Sequence, residues 1–330
     1  MAVQDRQVSL IGADRALDYD TLIERTESGA MAFKTIAILS AGEMGGNTGG
    51  ALAKEGYRIV TSLAGRSEAT RERALSLGFH DSGSVEDAIR EADIVFSILP
   101  PGLAVEQAEK VAAAMKATGC TPPFIDCNAV APQTAHEIGT IIGEAGAEFI
   151  DGGIVGNPPG KNPEKPTRFY VSGPGAPLMA EFHGKGIDVR QCGPDLGRAS
   201  AIKMCYAGVT KGTSALHTAL LMAAEKLGVA DEIHEEYEYS IGAMYARMEN
   251  MTPGLPAVAE RYAPEMDEIA KTLGAIDLPT GFHEGAAELY RLLTLSPYAS
   301  EIRETVDRNR TMRQTVEGSV AALGPRDAAE

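Results

Sequence analysis

Thr35-Ile36-Ala37-Ile38-Leu39-Ser40-Ala41-Gly42-Glu43-Met44-Gly45-Gly46-Asn47 decides the reading of this chain. A short β-branched apolar run meets a glycine-dense turn, and Thr48-Gly-Gly-Ala-Leu-Ala-Lys-Glu55 continues with small residues in a helical pattern. That order is strand, phosphate-cradling loop, then a helix whose N-terminus faces a pyrophosphate. Ser40, Gly42, Glu43, Met44 and Gly45 are therefore expected at a nucleotide cofactor. The motif is incomplete, because Ser40 stands where G-x-G-x-x-G has its first glycine.

Outward from this turn, short apolar runs alternate with helical stretches. Strands are expected over 35–39, 58–62, 94–99, 124–127 and 148–151, with two more over 168–172 and 187–191. Helices are expected over 49–55, 68–77, 85–91, 104–116 and 133–145. Alternation of this kind implies crossovers and a mostly parallel, doubly wound sheet. After Gly193-Pro194 the pattern turns almost wholly helical, over 197–227, 230–249, 255–273, 282–293 and 300–322. The expected organisation is an extension over 1–31, a Rossmann-type α/β domain over 32–194 and an all-α domain over 195–330. The extension is an ordered decoration, a flexible tail or sequence upstream of a start at Met31.

The 330 residues suffice for two domains with sizeable cores, and 44% hydrophobic residues is ordinary for a globular chain. No apolar run approaches the roughly 18–20 residues of a membrane span. Thirty Lys+Arg against 46 Asp+Glu give a net charge of −16. Nucleic acid and anionic membranes need a basic footprint, so neither is expected as a partner. Cys120, Cys127, Cys192 and Cys205 lack metal-ligand spacing, so no metal is expected and the thiols read as buried groups in a reducing cytoplasm.

The loop after the second strand bears on the cofactor. An NAD site usually supplies an acid there, whereas NADP needs a cation for its 2′-phosphate. This chain reads Thr61-Ser62-Leu63-Ala64-Gly65-Arg66-Ser67 before the first acid at Glu68. Arg66 can fork onto a phosphate and Ser67 can donate a hydroxyl, which favours NADP over the alternative, NAD. Leu99-Pro100 and Asn128 lie at carboxyl ends of later strands, where the cofactor crevice is expected. Asn128 suits a carboxamide or a substrate hydroxyl, or caps the helix opened by Pro132.

Asp151-Gly152-Gly153-Ile154-Val155-Gly156 reads as a second glycine-dense loop whose amides at Gly152 and Gly153 approach an anionic substrate. Lys203 follows Gly197 by six residues on the long helix, among apolar neighbours. An amine in such surroundings suits proton transfer near neutrality. Tyr206 and Thr210 fall at i+3 and i+7 on its face. Gly208 and Gly212 thin that helix for packing or ligand approach. His283 stands near a later helix start as a proton shuttle or a structural histidine.

Four segments in order resemble the β-hydroxyacid dehydrogenase and 6-phosphogluconate dehydrogenase superfamily. They are Gly42-Glu-Met44-Gly45, Asp126 to Pro132, Asp151-Gly-Gly-Ile-Val-Gly156, and Gly197 with Lys203. The helical half resembles the branch with the phosphogluconate-dehydrogenase-type C-terminal domain. The resemblance implies a homodimer with sites near the subunit junction and Lys203 as general acid/base beside the nicotinamide. It further implies Gly152 and Gly153 on the acid group of a small carboxylate-bearing substrate. Departures concentrate in the substrate residues: Asn128-Ala129 replaces a Ser or Thr pair, Ala207 beside Tyr206 replaces an asparagine, and Met266-Asp267 replaces a Lys-Asp pair. The rival readings are an imine reductase on the same frame and a non-catalytic NADPH sensor.

Overall fold

The computed structural model describes residues 32–162, 164–302 and 305–323. The expectations for residues 1–31 lie outside them. The chain divides into two compact units, at Met204–Cys205.

In the first unit one eight-stranded sheet runs β3-β2-β1-β4-β5-β6-β7-β8. The strands are β1 (Thr35–Ile38), β2 (Arg58–Thr61), β3 (His80–Asp81), β4 (Ile94–Ser97), β5 (Phe124–Asp126), β6 (Phe149–Val155), β7 (Arg168–Ser172) and β8 (Asp188–Gln191). Neighbours from β3 to β6 are parallel, β7 runs antiparallel to β6, and β8 is parallel to β7. The crossovers carry α1 (Glu43–Lys54), α2 (Glu68–Ser76), α3 (Val85–Glu91), α4 (Ala104–Thr118) and α5 (Pro132–Glu144). This is the expected Rossmann-type α/β architecture.

Both faces of the sheet are covered, and the two-residue period of β1 shows how. Ile36 and Ile38 enter one core with Phe96, Phe169 and Phe182. Ala37 and Leu39 enter the other with Val60, Val95 and Phe124. Phe182 sits among aromatic rings, 5.7 Å from Phe33 and 5.5 Å from Phe96. Burying each such side chain stabilises the fold by about 1.5–3 kcal/mol. Glu181, also buried, accepts hydrogen bonds from the Ala32 amide at 2.8 Å and the Tyr57 hydroxyl at 2.9 Å, which fastens the entry to β1.

The strand order reverses between β1 and β4, and the turn after β1 opens at that switch point. Sequence periodicity missed β3, whose two residues give no pattern. It also stopped β6 at Asp151, whereas the strand continues through Gly152 and Gly153 to Val155.

The helix α6 (Arg198–Ala207) contains the division between the units. The second unit continues with a π-helical turn (Gly208–Gly212), then α7 (Thr213–Leu227), α8 (Ala230–Met251, kinked at Ile241), α9 (Ala259–Gly274), α10 (Gly281–Leu293) and α11 (Met312–Ala322). The expected helix over 300–322 is corrected: α11 starts only after Thr311, whose capping box with Gln314 closes its N-terminus. The preceding segment is held instead by buried Arg310, which donates to Glu301, to the Pro253 carbonyl at 2.8 Å and to Thr315 at 3.2 Å. Among the described residues no helix is long and apolar enough to cross a membrane. Nor do any three or more His, Cys, Asp or Glu side chains gather as metal ligands among them.

Candidate active site

The turn after β1 is shaped by what its glycines leave out. Gly42 precedes α1 with φ −61° and ψ −174° and supplies no side-chain cap. The nearest atom to a Cβ placed there is Ser40 Oγ at 3.8 Å, so the space over the helix start is open. A Cβ on Gly45 would stand 1.9 Å from the Ser40 carbonyl oxygen. Asp277 is the one non-glycine with positive φ among the described residues, so Ser40 needs no glycine-only conformation. Serine therefore replaces the first glycine without backbone strain. An uncapped helix start beneath a close turn fits a dinucleotide pyrophosphate.

Arg66 reaches back to this turn. Its guanidinium donates to the Leu39 carbonyl at 2.9 Å, joining the loop after β2 to the end of β1. Arg71 donates to the Leu63 carbonyl at 2.8 Å, and Ser67 caps α2 through the Thr70 amide. Sequence reasoning missed Asp81, which orders the same loop by accepting from Leu63 N at 3.1 Å and Gly83 N at 3.0 Å. Burial opposes its charge, yet the Gly83 and Leu63 amides and Arg71 hold its carboxyl below the usual range.

At the ends of β4 and β5, Asn128 is 2% exposed and faces inward. Its Oδ1 accepts the Leu99 amide at 2.6 Å, and its Nδ2 donates to Ser97 Oγ at 3.0 Å and to Asp126. The expected ligand-facing amide is thus engaged at both ends by protein, where it ties the Leu99–Pro100 segment to β5. Asp126 is wholly enclosed. Burial pushes its carboxyl up to about 7; the Asn128 amide opposes this, and the neighbouring Asp151 adds to it. Burial likewise drives the Cys127 thiol well up, which leaves it un-ionised and unreactive. The expectation of buried thiols fails at Cys205, which is exposed.

Gly152 and Gly153 are corrected from a loop to a strand. A Cβ on Gly152 would lie 2.8 Å from the Asp126 carbonyl oxygen; one on Gly153 would lie 2.7 Å from that of Ala199 and 3.1 Å from Lys203 Cβ. Their bare backbone lets β5 and α6 close onto β6. The chain leaves the strand only at Gly156, with φ +112°. Lys203, half-buried on α6, donates from Nζ to the Ile154 carbonyl at 2.7 Å, near the carboxyl end of β6.

Tyr206, Thr210 and His283 belong to the second unit. Tyr206 is exposed, and the Thr210 hydroxyl donates back to the Tyr206 carbonyl at 3.0 Å. Gly208 and Gly212 make room for His283, whose Nε2 would lie 3.1 and 3.0 Å from a Cβ on either. The π-helical turn also carries Lys211, paired with buried Glu265 and seated 4.3 Å from the Tyr262 ring centroid. Tyr290 donates to the Lys211 carbonyl at 2.8 Å. Neither the π turn nor this pair was legible in the helical pattern.

Residues 35–176 match the NAD binding domain of 6-phosphogluconate dehydrogenase, and residues 224–293 match a domain of unknown function, DUF1932. An NAD-dependent L-serine dehydrogenase of Pseudomonas aeruginosa is 28% identical over 293 residues, spanning 81% of this chain and 94% of that protein. A conserved protein of unknown function with structural similarity to 3-hydroxyacid dehydrogenases shares 28% identity and a TM-score of 0.56, over 78% of this chain and 98% of its own. The Mycobacterium tuberculosis 3-hydroxyisobutyrate dehydrogenase, solved with L-serine, shares the fold with a TM-score of 0.59 at 20% identity, over 88% and 99% of the two chains. The chain thus carries an NAD-binding domain of the 6-phosphogluconate dehydrogenase type on a mostly parallel sheet, followed by a helical unit with a DUF1932 match, and it is similar to β-hydroxyacid dehydrogenases over most of its length.

Proposed function

We propose that the chain is an NADP-dependent oxidoreductase that interconverts the hydroxyl and carbonyl of a small β-hydroxy acid, with Lys203 as general acid/base. The observation that carries this reading is the Lys203 amine fixed on the Ile154 carbonyl, near the carboxyl end of a strand in a dinucleotide-binding sheet. Arg66 at the end of β1 supports NADP, because a guanidinium there suits a 2′-phosphate and repels nothing in it.

When bound, the nicotinamide supplies the hydride acceptor for oxidation and the donor for reduction. The open start of α1 and the Ser40 turn bind the pyrophosphate, and Arg66 with Ser67 binds the 2′-phosphate. Lys203 in its neutral form takes the hydroxyl proton as the carbonyl forms, and returns it in the reverse direction. Its N–H on the Ile154 carbonyl holds the nitrogen in place at the end of β6.

A homodimer is supported by the second unit. Tyr206, Val209, Leu216, Leu220 and Leu227 recur at helical spacing and are exposed, an apolar stripe of the kind that a second copy covers.

The test is NADP- and NAD-linked oxidation of L-serine and 3-hydroxyisobutyrate, the substrates suggested by the relatives' names, with ketone and imine reduction alongside. Turnover of a hydroxy acid with preference for NADP supports the reading. Reduction of imines alone, or tight NADPH binding without any turnover, contradicts it.

A further inference from the structure

The helix that carries Lys203 is capped by the sheet. Gly197, before α6, has no side chain to offer, so the first amides of the helix need acceptors from elsewhere. Ser172 Oγ on β7 accepts the Ala199 amide at 3.0 Å. The Asp151 carboxylate on β6 accepts three donors: the Ser200 amide at 3.1 Å, the Ser200 hydroxyl at 2.6 Å and the Ser172 hydroxyl at 2.8 Å. Asp151, Ser172 and Ser200 are all at most 1% exposed, so these bonds are screened from water.

Ser200 stands one helical turn before Lys203, on the same face. Two further contacts tie this face to β6. Gly153 leaves the notch that Ala199 and Lys203 Cβ enter, and Ile154 gives its carbonyl to the lysine amine. One strand therefore supplies the cap, the notch and the amine's acceptor within four consecutive residues. A shift of α6 along β6 would break all three together.

We propose that Asp151 is a positioning residue for Lys203: by capping α6 from the strand, its carboxylate sets where the lysine amine stands. This role rests on the reading of Lys203 as the proton-transfer group. Asp151 needs no contact with substrate for it. A carboxylate suits the position because it accepts from all three donors, whereas an amide there turns an NH2 group toward one of them.

The experiment is competitive acetylation of lysine amines with acetic anhydride across pH, read by mass spectrometry at Lys203, with Lys110 and Lys116 as exposed references. It compares the wild-type chain with Ser200→Ala, which removes one hydroxyl and keeps a good helix former, and with Asp151→Asn. The expected result is Lys203 labelling about threefold faster in Ser200→Ala, the size set by one lost buried hydrogen bond, with the references unchanged. NADP-linked turnover of L-serine or 3-hydroxyisobutyrate falls through kcat, while the NADPH Kd stays at the wild-type value. Unchanged Lys203 labelling in both variants, with Lys203→Met inactive, overturns the role of Asp151 alone. Retained turnover in Lys203→Met overturns the reading of the lysine, and this role with it.

Discussion

Gly45 lies directly against Ser40: a Cβ on the glycine would stand 1.9 Å from the serine's carbonyl oxygen. The turn can close over the start of α1 only because that atom is missing. Gly45→Ala is expected to cost about 3 kcal/mol, the upper end for overpacking, because the obstacle is backbone. Gly42→Ala is expected to leave stability within about 0.5 kcal/mol, since its φ is negative and the space is open, yet to raise the Kd for NADPH. Thermal melts with a fluorescence titration separate the two. A wild-type Tm in Gly45→Ala contradicts the packing account.

Arg66 spans the loop after β2 and the end of β1 through the Leu39 carbonyl. Arg66→Ala should raise the KM for NADP by about 10–100-fold, the worth of a hydrogen bond to a charged phosphate. The KM for NAD should change far less. Equal effects on both cofactors refute the 2′-phosphate contact.

Asp126 makes stability depend on pH in an unusual direction. Burial and Asp151 push its carboxyl up to about 7 in the fold, against opposition from Asn128. In the unfolded chain it titrates near pH 4. Between those values the native state holds the extra proton, so unfolding free energy falls as pH rises. Asp126→Asn cannot titrate, and its Tm relative to wild type should climb from about pH 4 to about pH 7. A Tm difference that stays flat across that window rules out the raised carboxyl.

Lys211 and Glu265 form a buried pair in the second unit, with side chains 19% and 4% exposed. Removing one partner strands a charge, so Lys211→Met should destabilise by about 3–5 kcal/mol. Combining it with Glu265→Leu should restore most of that loss. Urea denaturation of the single and double variants checks this, and equal losses in both would show that packing rather than the stranded carboxylate sets the cost.

The alternation of strands and helices was legible because each crossover has its own period, and β1, β2 and β7 fall where the apolar runs put them. Asp151-Gly152-Gly153 misled for a physical reason. A glycine pair in sequence reads as a turn, but these two are bare so that neighbouring elements can approach a continuing strand. The chemistry of Asn128 fits a ligand and a protein network equally well, and its bonds to the Leu99 amide and Ser97 hydroxyl join residues 29 and 31 positions away, which no local pattern reveals. The π turn and the Lys211–Glu265 pair were invisible, because one shifts the helical register without changing composition and the other joins residues 54 positions apart. Thr311-x-x-Gln314 was a readable start signal for α11 that a longer helical pattern overrode.

The central claim is that Lys203 moves the proton. Lys203→Met, assayed for NADP-linked turnover with the NADPH Kd measured by fluorescence, tests it most directly. The account predicts kcat lower by about 10²–10⁴-fold, the range for a lost general acid/base, with the NADPH Kd unchanged. Wild-type kcat in that variant would contradict it.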